Sequence, residues 1–192
     1  IFFFLSILKY NKLTYKVKGQ IHLDGDVVVI QPSRMLYADK AIISPQKGTT
    51  KLSKIEAIGH VRLHQPGAVI IGNQGFANLQ SHNAQLDDVY YLFKVKPNWS
   101  IKTDQKEYKN FTGYAHGHAS KVTQINQQQY NLKSASYTTC PPTSDIWSLW
   151  AKTIVLNRKT GRGEAYNTVM RIGDLPVFYF PYFFRLLPSM NF

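Results

Sequence analysis

Two glycines, Gly25 and Gly59, stand 34 residues apart, and the residues that follow them match in order. Val27 aligns with Val61, Val29 with Leu63, Gln31 with Gln65 and Pro32 with Pro66. Beyond that turn, Tyr37 aligns with Ile71, Ala38 with Gly72, Asp39 with Asn73 and Ala41 with Gly75. Each unit reads as strand, Gln-Pro turn, strand and small-polar corner. A unit this short cannot bury its own apolar face, so neighbouring units must stack and merge their faces into one.

The rest of the chain keeps the same period-two grammar. Val27 and Val29 alternate with Val28 and Ile30, and Val61 and Leu63 with His60, Arg62 and His64. Ile154 and Leu156 stand against Val155 and Asn157, and Val169 against Met170 and Ile172. Turn residues punctuate these runs at Asp24-Gly25-Asp26, Gln31-Pro32-Ser33, Gln65-Pro66-Gly67, Lys96-Pro97-Asn98 and Lys159-Thr160-Gly161. No long stretch keeps apolar residues at helical spacing. An aromatic share of 14% against only 18% charged residues suits pleated, half-buried surfaces. The class is all-β, as a sandwich, a roll or a solenoid.

On the repeat register, Val27, Val29, Val61, Leu63, Val69 and Ile71 are expected to face inward. If the sheets close on each other these side chains form a core. If the sheets stay splayed they line a groove wide enough for acyl chains, and periodicity leaves both open.

Lys and Arg exceed Asp and Glu by 23 to 11, a formal net charge of +12. Such a field attracts polyanions such as nucleic acid, anionic headgroups or phosphorylated glycolipid. The cations are dispersed, which is the usual pattern of solvated strand faces. No RNP-like aromatic box, zinc-finger spacing or helix-turn-helix accompanies them, so no nucleic-acid partner is expected. The opening run from Ile1 to Leu8 is apolar but far short of the roughly 20 residues a helical membrane span needs. It reads either as part of a signal segment or as a first strand awaiting a partner, since an uncapped strand invites strand addition.

Residues for catalysis are sparse. His60 with His64, and His116 with His118, fall on one strand face, but no Cys or carboxylate lies beside them in sequence to complete a metal site. Asp87 and Asp88 are adjacent and point to opposite faces, no nucleophile elbow singles out a Ser, and no Gly-rich phosphate loop occurs. No enzyme activity, metal or cofactor is expected. Cys140 is the sole cysteine, so no internal disulfide can form. In an exported protein it implies a partner sulfur elsewhere, and in a cytosolic one a buried thiol.

The last third carries a specific pattern: Tyr137-Thr138-Thr139-Cys140-Pro141-Pro142, then Trp147-Ser148-Leu149 and Ala151, then Ile154-Val155-Leu156-Asn157, Gly161-Arg162-Gly163, Ala165 and Asn167. It closes with Pro176-Val177-Phe178-Tyr179-Phe180-Pro181-Tyr182-Phe183. This element resembles the lipopolysaccharide-assembly family LptD (also OstA or Imp), and the Gly25 and Gly59 units resemble the OstA-type repeat of the same transport system. The resemblance covers residues from about Gly19 onward; residues 1–18, an apolar and basic segment, match poorly.

That resemblance implies a twisted open β-jellyroll of stacked OstA-type repeats over residues 19–175, at the periplasmic face of the Gram-negative outer membrane. It implies an interior that accepts the acyl chains of lipid A, received from a periplasmic bridge protein of the same jellyroll type. It also implies delivery to a C-terminal transmembrane β-barrel, outside this sequence, that holds a plug lipoprotein. Cys140 then matches a family cysteine that forms a disulfide with one in the barrel. Residues 176–192 match the junction, with Pro176, Phe178, Tyr179, Pro181 and Tyr182 as its aromatic and proline positions. Arg34, Lys40 and Arg62 are the cations expected near the groove's rim. The competing expectation is a soluble β-jellyroll scaffold that binds partners by strand edges without carrying lipid. A solenoid enzyme acting on anionic polysaccharide would need acidic clusters, in which the sequence is poor.

Overall fold

In the computed structural model, described residues are 7–9, 12–17, 19–31, 33–46, 52–95, 101–103, 106–108, 113–141, 143–144, 146–157, 159–160 and 162–186. The first six residues and the Lys96–Asn98 turn of the sequence reading lie outside them. All regular structure among the described residues is strand: β1 (Ile7–Lys9), β2 (Lys12–Val17), β3 (Gln20–Gln31), β4 (Arg34–Pro45), β5 (Leu52–Gln65), β6 (Ala68–Asn78), β7 (Asn83–Val95), β8 (Ile101–Thr103), β9 (Lys106–Tyr108), β10 (Gly113–Gln124), β11 (Gln129–Tyr137), β12 (Trp147–Asn157), β13 (Arg162–Ile172) and β14 (Leu175–Leu186).

Twelve of these strands form one antiparallel sheet in the order β3 to β7, then β10 to β14. Its first edge is shared: β2 pairs with Gln20–Asp24 of β3, and β1 with Val28–Ile30. Strands β8 and β9 make a separate ribbon between β7 and β10, which pair directly with each other. Every packed pair of elements is a pair of sheet neighbours. Among the described residues, then, the buried face is covered by the sheet curling on itself, not by a second layer.

The curl has a visible cause. Gly25 and Gly59 both have φ of +77°, and Asp26 and His60 after them have φ of 46° and 43°. Two residues on β3 (Gly25, Asp26) thus oppose one on β4 (Asp39), and two on β5 (Gly59, His60) oppose one on β6 (Asn73). These are β-bulges with glycine in the left-handed region, where a side chain would be strained, and they sharpen twist and bend. The corner continues across the sheet: Asp88, Ser134 and Asn167 have φ of 54°, 47° and 50° on β7, β11 and β13. In sheet order every second strand carries the left-handed residue. Polar side chains join neighbours along this line, His60 Nδ1 to Asp39 Oδ2 at 2.7 Å and Asn73 Nδ2 donating to Asp88 Oδ2 at 2.6 Å. The small-polar corner of the repeat is therefore a bend, with small residues (Ala38, Ala41, Gly72) buried inside it.

Inside the curl lie three apolar clusters. Leu23, Val27, Val29, Ala41 and Ile43 form one, Ala38, Ala57 and Val61 a second, and Val89, Tyr91, Ala119, Leu132 and Ala135 a third. Leu36 touches the first two and Leu86 the last two, so the interior is continuous. Full burial of a side chain such as Leu23 or Ile43 stabilises by about 1.5–3 kcal/mol.

The expected inward placement of Val69 and Ile71 is corrected by the register. Gln65 pairs with Ala68 across a two-residue turn, so Val61, Leu63 and Gln65 share a face with Ala68, Ile70 and Gly72. A slip of one residue in the phase sends every side chain to the other face. Val69 and Ile71 accordingly stand outside with Arg62 and His64, and Ile71 is 36% exposed. The inward pair is Ala68 and Ile70.

Candidate functional site

The four inward residues on the repeat's first strands differ in degree: Val27, Val29 and Val61 are buried and Leu63 is half-buried. In this first half of the sheet the interior is filled. The C-terminal half is different. There an apolar cavity of roughly 80 Å³ is lined by Tyr91, Phe93, Leu132, Leu149, Ile154 and Phe183, among others. Both Leu149 and Leu156 line it, although they lie on opposite sides of the corner in β12. The two halves of the curled sheet thus face each other across it. Since a water in the liquid occupies about 30 Å³, the space equals two or three waters.

Three residues in or beside the cavity are absent from the sequence-based candidates: Tyr91, Gly117 and Thr168. The Tyr91 hydroxyl donates to the carbonyl of Ser136, two strands away. It does so over Gly117, where a Cβ would stand 1.9 Å from that carbonyl oxygen and 2.9 Å from the phenol. Burial, with Tyr137 adding to it, pushes the Tyr91 phenol well above its ordinary 10.0. A glycine inside a strand marks close approach, so Gly117 between His116 and His118 was a usable signal. Thr168 is fully buried at 0% exposure on the cavity wall, and its Oγ1 has no hydrogen-bond partner. Nothing in the alternation marks it, because the left-handed Asn167 switches the phase of β13 just before it.

Cys140 is buried in the segment after β11. Its amide donates to Thr138 Oγ1 at 3.0 Å, and its sulfur lies 3.8 Å from the Trp147 carbonyl. His116 Nε2 donates to the Cys140 carbonyl at 2.9 Å, which puts the proton on that nitrogen. His118 meets the ring of Tyr90 edge-on at 4.9 Å, His60 faces Asp39, and His64 meets Tyr37 edge-on. Among the described residues no three His, Cys, Asp or Glu side chains gather as a metal site.

The junction residues Pro176, Phe178, Tyr179, Pro181 and Tyr182 all lie on β14, which among the described residues is the last strand of the sheet and pairs only with β13. Phe178 and Tyr182 are 60% and 52% exposed. Phe178, Phe180 and Phe183 follow each other at ring spacings of 6.2 and 5.7 Å, on the side where Phe183 lines the cavity. On the other side, Tyr166 meets Tyr182, and Arg162 lies over the Phe184 ring at 5.7 Å. Arg171 lies over Trp150 at 5.4 Å. Of the rim cations, Lys40 is exposed and paired with Asp24 at 3.6 Å, and Arg62 is exposed on the outer face. Arg34 is half-buried at the β3–β4 hairpin end.

An open antiparallel sheet, bent at a bulged corner around a continuous apolar interior, defines a β-jellyroll of stacked OstA-type repeats. The family model described as "LptA/(LptD N-terminal domain) LPS transport protein" matches residues 10–74. A protein named LPS-assembly protein LptD in Coxiella burnetii is 41% identical over 163 residues, 84% of this chain and 18% of that protein. Proteins of the same name in Legionella pneumophila (strain Lens) and Acinetobacter baylyi are 31% and 30% identical over 83% and 93% of the chain. The chain spans just under a fifth of these relatives, 18% and 19%. The crystal structure of LptH, described as the LptA-homologous periplasmic component of the Pseudomonas aeruginosa lipopolysaccharide transport device, aligns over 95% of this chain and 94% of that one, at 13% identity and a TM-score of 0.29. The chain belongs to the LptD family, as an N-terminal, OstA-type domain.

Proposed function

We propose that this chain is the segment of a lipopolysaccharide-assembly protein that carries lipid A acyl chains along its inner face toward a transmembrane barrel. One observation carries the reading: the apolar interior is continuous across the sheet and still holds space at the Tyr91–Phe183 cavity, next to the aromatic edge β14. The cavity as it stands is smaller than an acyl chain, so passage requires the two halves of the curl to part. An open sheet, with no second layer among the described residues, allows that without breaking strand pairing. An entering chain replaces one set of apolar contacts with another, which costs little.

On this reading the domain works in the periplasm, at the inner side of the outer membrane of a Gram-negative cell, and performs no catalytic step. A bridge protein of the same jellyroll type would dock at the β1–β2–β3 edge by strand addition. The phosphates of the glycolipid would be met by cations of the +12 surface, with Arg34 placed at a hairpin end. β14 would lead into the barrel, where a plug lipoprotein sits, and the Cys140 thiol would pair with a barrel cysteine.

The test places a photo-crosslinking residue in the full-length protein in cells, at inward Val61, Leu132 or Leu149 and at outward Ile71. Lipopolysaccharide adducts are expected at the inward positions and not at Ile71. Clean absence of adducts at all three inward positions would sink the reading. For Cys140, full-length protein should change gel mobility on reduction and Cys140→Ser should not; identical mobility in both removes the disulfide.

A further inference from the structure

We propose that Thr168 is a polar recognition point inside the cavity, selecting acyl chains that bear an oxygen substituent, such as a hydroxyl or an acyloxy group, over plain chains. This rests on the acyl-carrying reading and adds a chemical preference to it.

One buried hydroxyl on this wall has nothing to bond. Thr168 lies at 0% exposure, lines the cavity, and its Oγ1 makes no hydrogen bond. Its cross-strand neighbours are Ala151 on β12 and Phe180 on β14, whose side chains offer neither donor nor acceptor. Two other polar groups on the wall are engaged: the Tyr91 hydroxyl donates to the Ser136 carbonyl, and Glu164 Oε2 accepts from the Tyr166 hydroxyl at 2.9 Å. A buried hydroxyl without a partner is unfavourable, and valine has nearly the same shape without that penalty.

The backbone also turns this residue inward. Asn167 at φ 50° is the left-handed corner residue of β13, and the phase change it introduces puts Thr168 inside. The result is a mostly apolar wall bearing one buried, unpaired O–H, which can both donate and accept. A plain methylene chain leaves that hydroxyl unpaired. A chain bearing a hydroxyl or ester oxygen within reach satisfies it and gains a hydrogen bond.

The experiment displaces a fluorescent fatty acid, cis-parinaric acid, from the chain with tetradecanoic acid or with 3-hydroxytetradecanoic acid. The two competitors differ only in the oxygen. Wild type should bind the hydroxylated acid about fivefold more tightly, the size of a typical net hydrogen bond. Thr168→Val should bring the two acids to equal affinity while leaving the plain acid's affinity unchanged, and its melting temperature should be no lower than wild type. Thr168→Ser, which keeps the hydroxyl, should retain the preference. Equal binding of both acids by wild type, or a full preference surviving in Thr168→Val, overturns the role of Thr168 alone. If neither acid displaces the probe, and no direct binding of either is seen, the acyl-carrying reading falls and this proposal with it.

Discussion

The phenol of Tyr91 reaches across Gly117 to donate a hydrogen bond to the carbonyl of Ser136, tying β7 to β11 over the strand between them. Tyr91 and Gly117 are direct cross-strand partners. The glycine leaves the space the hydroxyl occupies, which would lie 2.9 Å from a Cβ there.

Gly117→Ala should be severely destabilising, because its Cβ would stand 1.9 Å from the Ser136 carbonyl oxygen, backbone that cannot swing aside. A loss of about 3 kcal/mol in urea unfolding is expected, at the upper end for an overpacked core. Stability within 0.5 kcal/mol or so of wild type would mean the strands do not approach here.

Tyr91 also sets an alkaline limit. Burial raises its pKa above the ordinary 10.0, so the neutral phenol contributes its full stability below about pH 10. Above that, the unfolded chain releases the proton while the folded chain still holds it, and stability falls as pH rises. Tyr91→Phe should start about 1 kcal/mol lower at pH 8, through loss of the hydrogen bond, and decline less between pH 10 and 12. Parallel declines in the two proteins would contradict a buried, protonated phenol.

Gly59 tests the corner. It has φ of +77°, and a Cβ there would lie 2.2 Å from Asp39 Oδ2. Gly59→Ala therefore adds left-handed strain of about 1–2 kcal/mol and displaces the carboxylate from His60. Asp39→Ala in the same chain should restore the steric part, so the double mutant should be more stable than the sum of the singles. Strict additivity would count against the contact.

The register correction makes a paired forecast. Ile70→Asp puts a carboxylate among the interior side chains around Val89 and Tyr91 and should cost about 3 kcal/mol or more. Ile71→Asp lies on the outer face, at 36% exposure, and should cost under about 1 kcal/mol. Denaturant midpoints that fall equally for both variants would place the two residues on equivalent surfaces.

Much of this was legible in the chain before any coordinates. Alternation at Val27–Ile30, Val61–His64 and Ile154–Asn157 specified strands, since period two is what a sheet with one buried face requires. The Gly25–Gly59 match located a repeated unit, and both glycines do stand at left-handed bulges. The Tyr137–Phe183 element pointed to the family. The inward face of β6 differs from the one the repeat register gives at Val69 and Ile71, because the two-residue turn before it flips the parity. The candidate site was less legible still: Thr168 and Tyr91 resemble any other residue of a strand.

By itself, then, the sequence determined the all-β class, the repeat with its two corners and the family, all of which depend on local chemistry: side-chain period, glycine at positive φ, and turn residues. Only the tertiary structure decided which side chains meet. The curl brings Leu149 and Leu156 to one cavity, Tyr91 over Gly117 to Ser136, and Thr168 inward with no partner. Those meetings depend on the bend at the corner, where left-handed residues on successive strands line up, and on pairing between strands far apart in sequence, which no single stretch carries.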